Sequence, residues 1–322
     1  MPSPDLPSSI GPYRVTELLG KAGQTVVYKA VEPTRGRTVA VKLFPPALSQ
    51  DTSTVERFHQ ELRAVAPVSR HPHLVQILGT GQDGDRLYLA MELVDGRSLD
   101  RVLRERRLTV PEAITVLRGL CRGLAQAHEH GLLHRRLTPR NILVSDDFDT
   151  VKLSDVGASG FEVATNVSGG TVSTGEINLG ALYYLAPEQV EGGQPGDHRA
   201  DLYSAGVIFH EMLTGRKPGP KFALPSQLNP QLPPEADIVV LKCLARKPGE
   251  RYATALDLLE DLEKLEERLR LRVVAEIRDI SQAGSRLLGT ESGGEKRPVL
   301  LWVGIALAVL AALAVAGFLL LR

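Results

Sequence analysis

Cysteine and net charge are both scarce in this chain of 322 residues. It has two cysteines, and its 38 basic residues balance 38 acidic ones to a formal net charge of zero. Because no excess of positive charge would attract a polyanion, we predict no nucleic-acid partner. Cys121 and Cys243 lie far apart in apolar helical patterns, which predicts buried thiols in a reducing compartment.

The beginning of the chain lacks an apolar stretch. Its first twenty residues contain Pro2, Pro4, Pro7 and Pro12 instead. This composition excludes an ordinary secretory signal peptide, because the central region of such a peptide is continuously apolar. We therefore predict a disordered lead-in over residues 1–11.

Charge is absent from one long run, residues 299–321, with the sequence VLLWVGIALAVLAALAVAGFLLL. A helix rising about 1.5 Å per residue would span roughly 34 Å over this run, which is enough for the hydrocarbon core of a bilayer. A buried globular helix is the alternative, but such a helix rarely runs this far without a polar residue. Lys296 and Arg297 precede the run, and a basic flank favours the cytoplasmic side. We expect a cytoplasmic domain held to a membrane by a transmembrane helix.

The chain before that run has the pattern of an α+β protein. Strand signals dominate up to about residue 95, interrupted by helical spacing over 53–66. From Ser98 to about residue 280 the spacing is mainly helical. We therefore predict a small β-rich lobe at residues 12–95, a helical lobe at 96–270, and a further helix and linker at 271–298.

Residues 254–280 have an apolar repeat that allows two interpretations. Leucines at 258, 262, 265 and 269 follow a 4-3-4 spacing, and the face continues through positions 273, 277 and 280 after a stutter. The plainer interpretation is that the last helix of the domain simply runs on. The sharper one is a coiled coil that makes a homodimer through residues 254–280.

Several segments in a fixed order resemble bacterial-type serine/threonine protein kinases. They are LLGKAGQTVVYKA, TVAVKLF, RFHQEL, LAMELVDGRSL, LLHRRLTPRNIL, VKLSDVG, YYLAPE, ADLYSAGVIFHEMLTGRKP and CLARKPGERYATA. Each motif alone is a weak signal, whereas their common register over residues 13 to about 265 is specific. The resemblance implies a bilobal kinase-like fold, with ATP and Mg²⁺ as its cofactors.

On the nucleotide side, the resemblance assigns roles to residues that are all present. Lys42 would pair with the phosphates of ATP, and Glu61 would hold Lys42 in place. Asn141 and Asp155 would be the Mg²⁺ ligands, since hard oxygen donors suit this ion. The remaining cofactor positions, which line the adenine and phosphate sites, are Gly20, Gly23, Val27, Ala40, Met91, Glu92 and Val94.

The glycine-rich loop departs from the family pattern of three glycines. Gly20 is present, but Ala22 and Thr25 occupy the other two positions. Glycine lets the backbone approach the phosphates closely, whereas the β-branched Thr25 is stiffer. Gly23 restores some of the lost freedom. We therefore expect weak binding of ATP.

On the acceptor side, three family residues are replaced at one small site. Arg136 stands where the family has the aspartate that accepts the proton of the substrate hydroxyl. Thr138 stands where a lysine would steady the transferred phosphate, and Ala181 where a threonine would bond to this pair. An arginine offers only hydrogen-bond donors and keeps its proton, so it cannot act as the base.

Three functions follow from these departures. The first is a membrane-anchored cytosolic pseudokinase that binds ATP weakly and signals through an unidentified cytosolic partner protein, without efficient phosphotransfer. The alternative is an active serine/threonine kinase with a non-standard catalytic loop, since loss of a general base costs only about 10² to 10⁴-fold. The third is a nucleotide-free scaffold in which Arg136 pairs with Asp155 and blocks the metal.

Overall fold

The structure, a computed structural model, describes residues 6–158, 161, 179–191, 196–219 and 221–289. Its N-terminal lobe contains an antiparallel sheet with the spatial order β1-β2-β3-β4-β6-β5. These strands are Ser9–Ile10 (β1), Tyr13–Ala22 (β2), Thr25–Glu32 (β3), Arg37–Leu43 (β4), Ile77–Asp83 (β5) and Arg86–Glu92 (β6). A short 3-10 turn, Pro46–Ser49, and helix α1, Thr52–Val68, connect β4 to β5.

Local chemistry explains the boundaries of these elements. The Asp51 side chain accepts from the backbone of Ser53 and Thr54 and so caps the N-terminus of α1. The predicted hairpin turn joins β5 to β6, where Gly84 has a positive φ of 57°. The buried face of α1 packs against the sheet through Phe58, which is fully buried.

The predicted disordered lead-in is wrong for its last residues. Ser9 and Ile10 form β1 and pair with Arg14 and Tyr13 of β2. Ile10 is 1% exposed and belongs to the core of the lobe. Burial of this isoleucine offsets the entropy lost when the segment is ordered, and the proline-rich composition concealed it.

The C-terminal lobe is mainly helical. A small sheet with the order β7-β8-β9 lies at its edge. Its strands are Arg97–Ser98 (β7), Ile142–Val144 (β8) and Val151–Leu153 (β9), and the described helices are Leu99–Glu105 (α2), Val110–Glu129 (α3), Leu179–Leu182 (α4), Pro187–Glu191 (α5), His198–Thr214 (α6), Pro225–Leu228 (α7), Pro234–Cys243 (α8) and Ala255–Gly289 (α9). Short 3-10 turns lie at Pro139–Asn141 and Pro248–Glu250.

Helix α6 is the centre of this lobe, and most of its residues are buried. Close packing depends on Gly206, because a Cβ atom there would lie 2.3 Å from the Cβ of Cys243 in α8. Both cysteines are free and buried, as predicted, and burial raises the pKa of the Cys121 thiol to about 12. These thiols serve as packing groups.

A buried ion pair joins the ends of the helical lobe. The guanidinium of Arg251 donates to both carboxylate oxygens of Glu188, with N–O distances of 2.7 Å. Arg251 also donates to the backbone carbonyls of Ala245, Arg199 and Arg246. Because so many donors are satisfied, the guanidinium can be buried at a tolerable desolvation cost.

Helix α9 decides between the two interpretations of the leucine repeat for its first half. Leu258, Leu262, Leu265 and Leu269 are all buried in the core of their own lobe. They are therefore not available for a coiled coil with a second chain, and the helix runs on as the plainer interpretation has it. Leu271, Val274 and Ile280 lie further along and are exposed.

The predicted transmembrane run, residues 299–321, lies outside the described residues. Within the ranges that the structure does describe, no helix combines the length and the apolar character needed to cross a bilayer.

Candidate functional site

The centre of the candidate site is an ion pair between the two lobes. Lys42, on β4, places its Nζ atom 2.7 Å from Oδ1 of Asp155, which follows β9. Both side chains are nearly buried. Burial by itself raises the pKa of the Asp155 carboxyl, but the Lys42 ammonium and the neighbouring donors outweigh it and hold that pKa below its usual range. The two residues assigned to phosphate and metal are therefore in direct contact.

Glu61 does not make the predicted contact with Lys42 in this conformation. Its carboxylate is 3.7 Å from Nε of Arg57, one turn earlier in α1, and its side chain is 46% exposed. Phe161 packs edge-to-face on Phe58 at a centroid distance of 5.2 Å. Phe161 thus fills the space between α1 and the segment after Asp155, and the Asp155 carboxylate takes up the Lys42 ammonium.

Asn141 lies beside Asp155, as the two assigned metal ligands must. Its amide Nδ2 donates to Oδ2 of Asp155 over 2.9 Å, and its Oδ1 accepts from the hydroxyl of Thr138 over 2.9 Å. Carboxylate and amide oxygens retain further lone pairs. The pair therefore fits a hard divalent cation such as Mg²⁺, which would share Asp155 with Lys42 or displace it.

The backbone of the loop before Asn141 is anchored from below. Asp201, at the start of α6, accepts from the backbone amides of His134 and Arg135 over 2.9 and 2.7 Å. His128 Nε2 lies 2.9 Å from the same carboxylate. Burial raises the pKa of Asp201, but the His128 hydrogen bond and nearby histidines outweigh it, so the carboxyl stays ionised. Arg135 is held at a positive φ of 66°.

His128 and Gln189 are positioning residues that the sequence analysis missed. Gln189, on α5, donates from Nε2 to the carbonyl of Arg135 over 2.9 Å. His128 lies in the last turn of α3. Neither belongs to a motif with an obvious role, and only the fold brings them to this loop. A polar residue at the buried end of an amphipathic helix was the available signal for His128.

Arg136 occupies the loop between these anchors. It is partly buried, and no carboxylate in the described part of the chain lies within ion-pair distance of its guanidinium. The predicted Arg136–Asp155 pair of the scaffold hypothesis is not formed, because Lys42, Asn141 and Ser154 surround the Asp155 carboxylate. The metal position is therefore not blocked by Arg136.

Thr138 and Ala181 lie on separate elements. The Thr138 hydroxyl is engaged with Asn141, as described above. Ala181 lies in the short helix α4 and has no hydroxyl that could bond back to the loop. The described link between the two regions is Gln189, which acts on backbone rather than on a catalytic side chain.

The adenine positions form an apolar slot in the N-terminal lobe. Ala40 and Met91 face each other across β4 and β6 and are nearly buried. The amide of Val94 takes no part in the backbone hydrogen bonds of the described loops, so it can donate to a ligand. Glu92 is held in place by Lys152, whose Nζ lies 2.7 Å from its carboxylate.

The phosphate loop is a tight hairpin between β2 and β3. Gly20 pairs with Val27, and Ala22 pairs with Thr25 across the turn. Gly23 has a positive φ of 58° within this turn, a conformation that glycine adopts without strain. Thr25 is 7% exposed, which fixes its backbone further. The loop keeps its shape, with one glycine supplying the bend.

Comparison with known proteins identifies the family. Residues 13–274, more than half of the chain, match the protein kinase domain. Serine/threonine-protein kinase PknL of Mycobacterium tuberculosis is 38% identical over 277 residues, which cover 80% of this chain and 67% of PknL. PrkC of Bacillus subtilis is 31% identical over 268 residues, covering 79% of this chain and 40% of PrkC.

A solved structure confirms the architecture. The crystal structure of the Mycobacterium tuberculosis PknI kinase domain superimposes with a TM-score of 0.65 at 25% identity, and covers 81% of this chain and 98% of that one. The predicted bilobal fold, with a β-rich and a helical lobe, is thereby confirmed. Its family uses ATP and magnesium in general.

The comparisons favour the active-kinase alternative over the pseudokinase hypothesis as far as they reach, since these relatives are named as kinases. They do not address the residues at positions 136, 138 and 181. The chain belongs to the protein kinase domain family and is a homologue of bacterial serine/threonine protein kinases.

Proposed function

We propose that this kinase homologue binds ATP with Mg²⁺ between its lobes and acts mainly as a signalling or scaffold module, with phosphotransfer that is slow or absent. The observation that carries the proposal is the contrast within one site. Lys42, Asn141 and Asp155 lie in one connected group, whereas the position of the proton acceptor holds Arg136.

The residues present fit the nucleotide. Lys42 would neutralise phosphate oxygens, Asn141 and Asp155 would hold the metal, and Val94 would donate to the adenine. Bound Mg²⁺ would neutralise charge on the phosphates. Binding is expected to be weak, since Lys42 and Asp155 already satisfy each other at 2.7 Å and part of that interaction is given up when the ligand enters.

An arginine at position 136 changes more than a missing base would. It cannot accept the proton of a substrate hydroxyl, and its positive charge disfavours approach of a protonated donor group. Thr138 supplies no cation for the transferred phosphate, and its hydroxyl is already engaged with Asn141. Each of these differences acts at the same step.

The second candidate is an active serine/threonine kinase, and the names of the relatives favour it. Phosphoryl transfer depends mainly on positioning and electrostatics, and the anchoring of the loop by Asp201 is complete. A general base typically contributes about 10² to 10⁴-fold, so a slow but real activity is physically consistent with the site.

One experiment separates the two candidates. Thermal unfolding of the purified chain is measured against ATP with Mg²⁺, and initial rates with radiolabelled ATP are measured on the same preparation. We expect a shift of a few degrees at millimolar ATP and no transfer above trace levels. Strong activity in the parent that Lys42→Ala abolishes would establish the active kinase instead.

The variants need a control for loss of charge. Lys42→Ala and Asp155→Ala should remove the shift. Lys29→Ala is the matched control, because Lys29 also lies in the N-terminal sheet but is exposed and pairs with Glu17 at 3.7 Å. It should shift as much as the parent does. If the Lys42 and Asp155 variants also shift that much, the nucleotide binds elsewhere.

We also propose that residues 299–321 anchor the chain in a membrane, with the kinase-like domain in the cytoplasm. The uncharged composition of this run supports the proposal. Release of the full chain into the supernatant by carbonate extraction would contradict it. An unidentified cytosolic protein remains the proposed signalling partner, and a homodimer could use only the exposed later part of α9.

A further inference from the structure

We propose that Arg136 is a phosphate-binding residue, whose guanidinium holds the terminal phosphate of a bound nucleoside triphosphate. The inference rests on the proposed nucleotide binding and adds a role for the residue that most distinguishes this chain. Arg136 then does more than remove the proton acceptor. It makes the site selective for a triphosphate over a diphosphate.

The first argument is the position of the residue. The backbone just before it is fixed, because Asp201 accepts from the amides of His134 and Arg135. Just after it, Thr138 bonds to Asn141, which bonds to Asp155. Residue 136 therefore lies on a short, doubly anchored segment beside the predicted metal ligands, where the terminal phosphate must reside when Lys42 and Mg²⁺ hold the inner ones.

The second argument is the state of the other cations near the cleft. Lys42 pairs with Asp155 at 2.7 Å, Lys152 with Glu92 at 2.7 Å, and Arg140 with Asp100 at 3.6 Å. The Arg136 side chain, by contrast, is partly buried and has no acidic partner among the described residues. Partial desolvation of an unpaired guanidinium is unfavourable, and an anionic ligand would compensate for it.

The third argument is a comparison of charge. The family pattern has an aspartate at position 136 and a lysine at position 138, which sum to zero. This chain has Arg136 and Thr138, which sum to one positive charge. The loop is therefore more favourable to an anion than the family loop, even though it has lost its lysine. Arginine also presents a planar fork of donors that matches phosphate oxygens in pairs.

The test compares a triphosphate with a diphosphate on the full chain. Dissociation constants are measured by calorimetry for ADP with Mg²⁺ and for the β,γ-imido analogue of ATP with Mg²⁺, which excludes turnover. The parent should bind the triphosphate about ten times more tightly, which corresponds to one charge-assisted contact. Arg136→Ala should remove most of this ratio and leave the ADP affinity unchanged, and Arg136→Lys should retain part of it.

Arg140→Ala is the matched control. It removes the same charge from the same loop, but Arg140 is half exposed and faces Asp100. It should leave the triphosphate-to-diphosphate ratio as in the parent. Equal loss of the ratio in both variants would show a general effect of charge and would overturn the inference. Unfolding temperatures without ligand verify that each variant is folded.

The remaining outcomes separate this inference from the proposed function. If the parent binds both nucleotides and Arg136→Ala leaves the ratio unchanged, the inference fails and nucleotide binding stands. If the parent binds neither nucleotide, the proposed function fails and the inference fails with it. Stabilisation of the ADP complex by inorganic phosphate through Arg136 would assign the site to free phosphate and would overturn the triphosphate role.

Discussion

The nucleotide side and the acceptor side of the cleft retain the family pattern to different degrees. Lys42, Asn141 and Asp155 are all present and are linked by contacts of 2.7 to 2.9 Å. On the acceptor side, Arg136 and Thr138 replace the two charged residues. The loop that carries them is nevertheless anchored by Asp201. The difference shows that a framework can be kept intact while the chemistry displayed on it changes.

The largest expected effect comes from rebuilding the acceptor side. The triple change Arg136→Asp, Thr138→Lys and Ala181→Thr should raise the initial rate of phosphotransfer by about 10² to 10⁴-fold over the parent. Each single change should give little, because residues that act as one unit are strongly non-additive. Rates with radiolabelled ATP for the parent, the singles and the triple provide the measurement.

Lys42→Ala in the triple background is the control, and it should abolish the recovered rate. A triple variant that binds ATP but stays silent would show that the phosphate loop, with Ala22 and Thr25, is limiting by itself. The contrast between the two sides would then be smaller than we infer.

The second effect concerns the framework that both sides share. Glu188→Ala should lower the free energy of unfolding by about 3 kcal/mol, because it leaves the buried Arg251 guanidinium without its partner. Glu191→Ala is the matched control, since the Glu191–Arg246 pair is exposed and should cost less than about 1 kcal/mol. Urea unfolding measures both, and equal losses would contradict a structural role for the buried pair.

The third effect is a pH dependence of the loop anchor. The pKa of Asp201 is lowered in the folded chain, so its contribution to stability is complete above its unfolded pKa of about 3.9 and is lost as pH falls through the folded value. Asp201→Asn should therefore cost about 1.5–3 kcal/mol near neutral pH, with a smaller difference from the parent below about pH 4. Urea unfolding across this range checks the sign, and a difference that grows in acid would contradict it.

The smallest effect tests the conformation of α1. Arg57→Gln removes the contact with Glu61 at 3.7 Å and the stacking of Arg57 on Phe161, and so frees Glu61 to approach Lys42. Because an exposed pair one turn apart contributes about 0.3–0.5 kcal/mol, ATP affinity should rise about twofold in calorimetry. Arg63→Gln, on the same helix, should leave the affinity unchanged.

Sequence reasoning located the nucleotide site well because its residues lie in contiguous motifs. VAVK on a strand and the Asn141 and Asp155 motifs identified groups that the fold then joined. It failed for the Glu61 contact and for the lead-in. Both depend on packing between distant segments, namely Phe161 on Phe58 and Ile10 in the N-terminal core, which local patterns do not encode.

The amino-acid sequence by itself determined the order of the elements, the buried thiols, the Glu188–Arg251 pair and the exchange of acid for base at position 136, because each follows from residue type and register. Only the tertiary structure decided that Lys42 contacts Asp155, that His128 and Gln189 support the loop, and that the leucines of α9 are buried in their own lobe. These outcomes depend on which surfaces compete for the same partner in space. That competition is resolved by packing and desolvation over the whole fold.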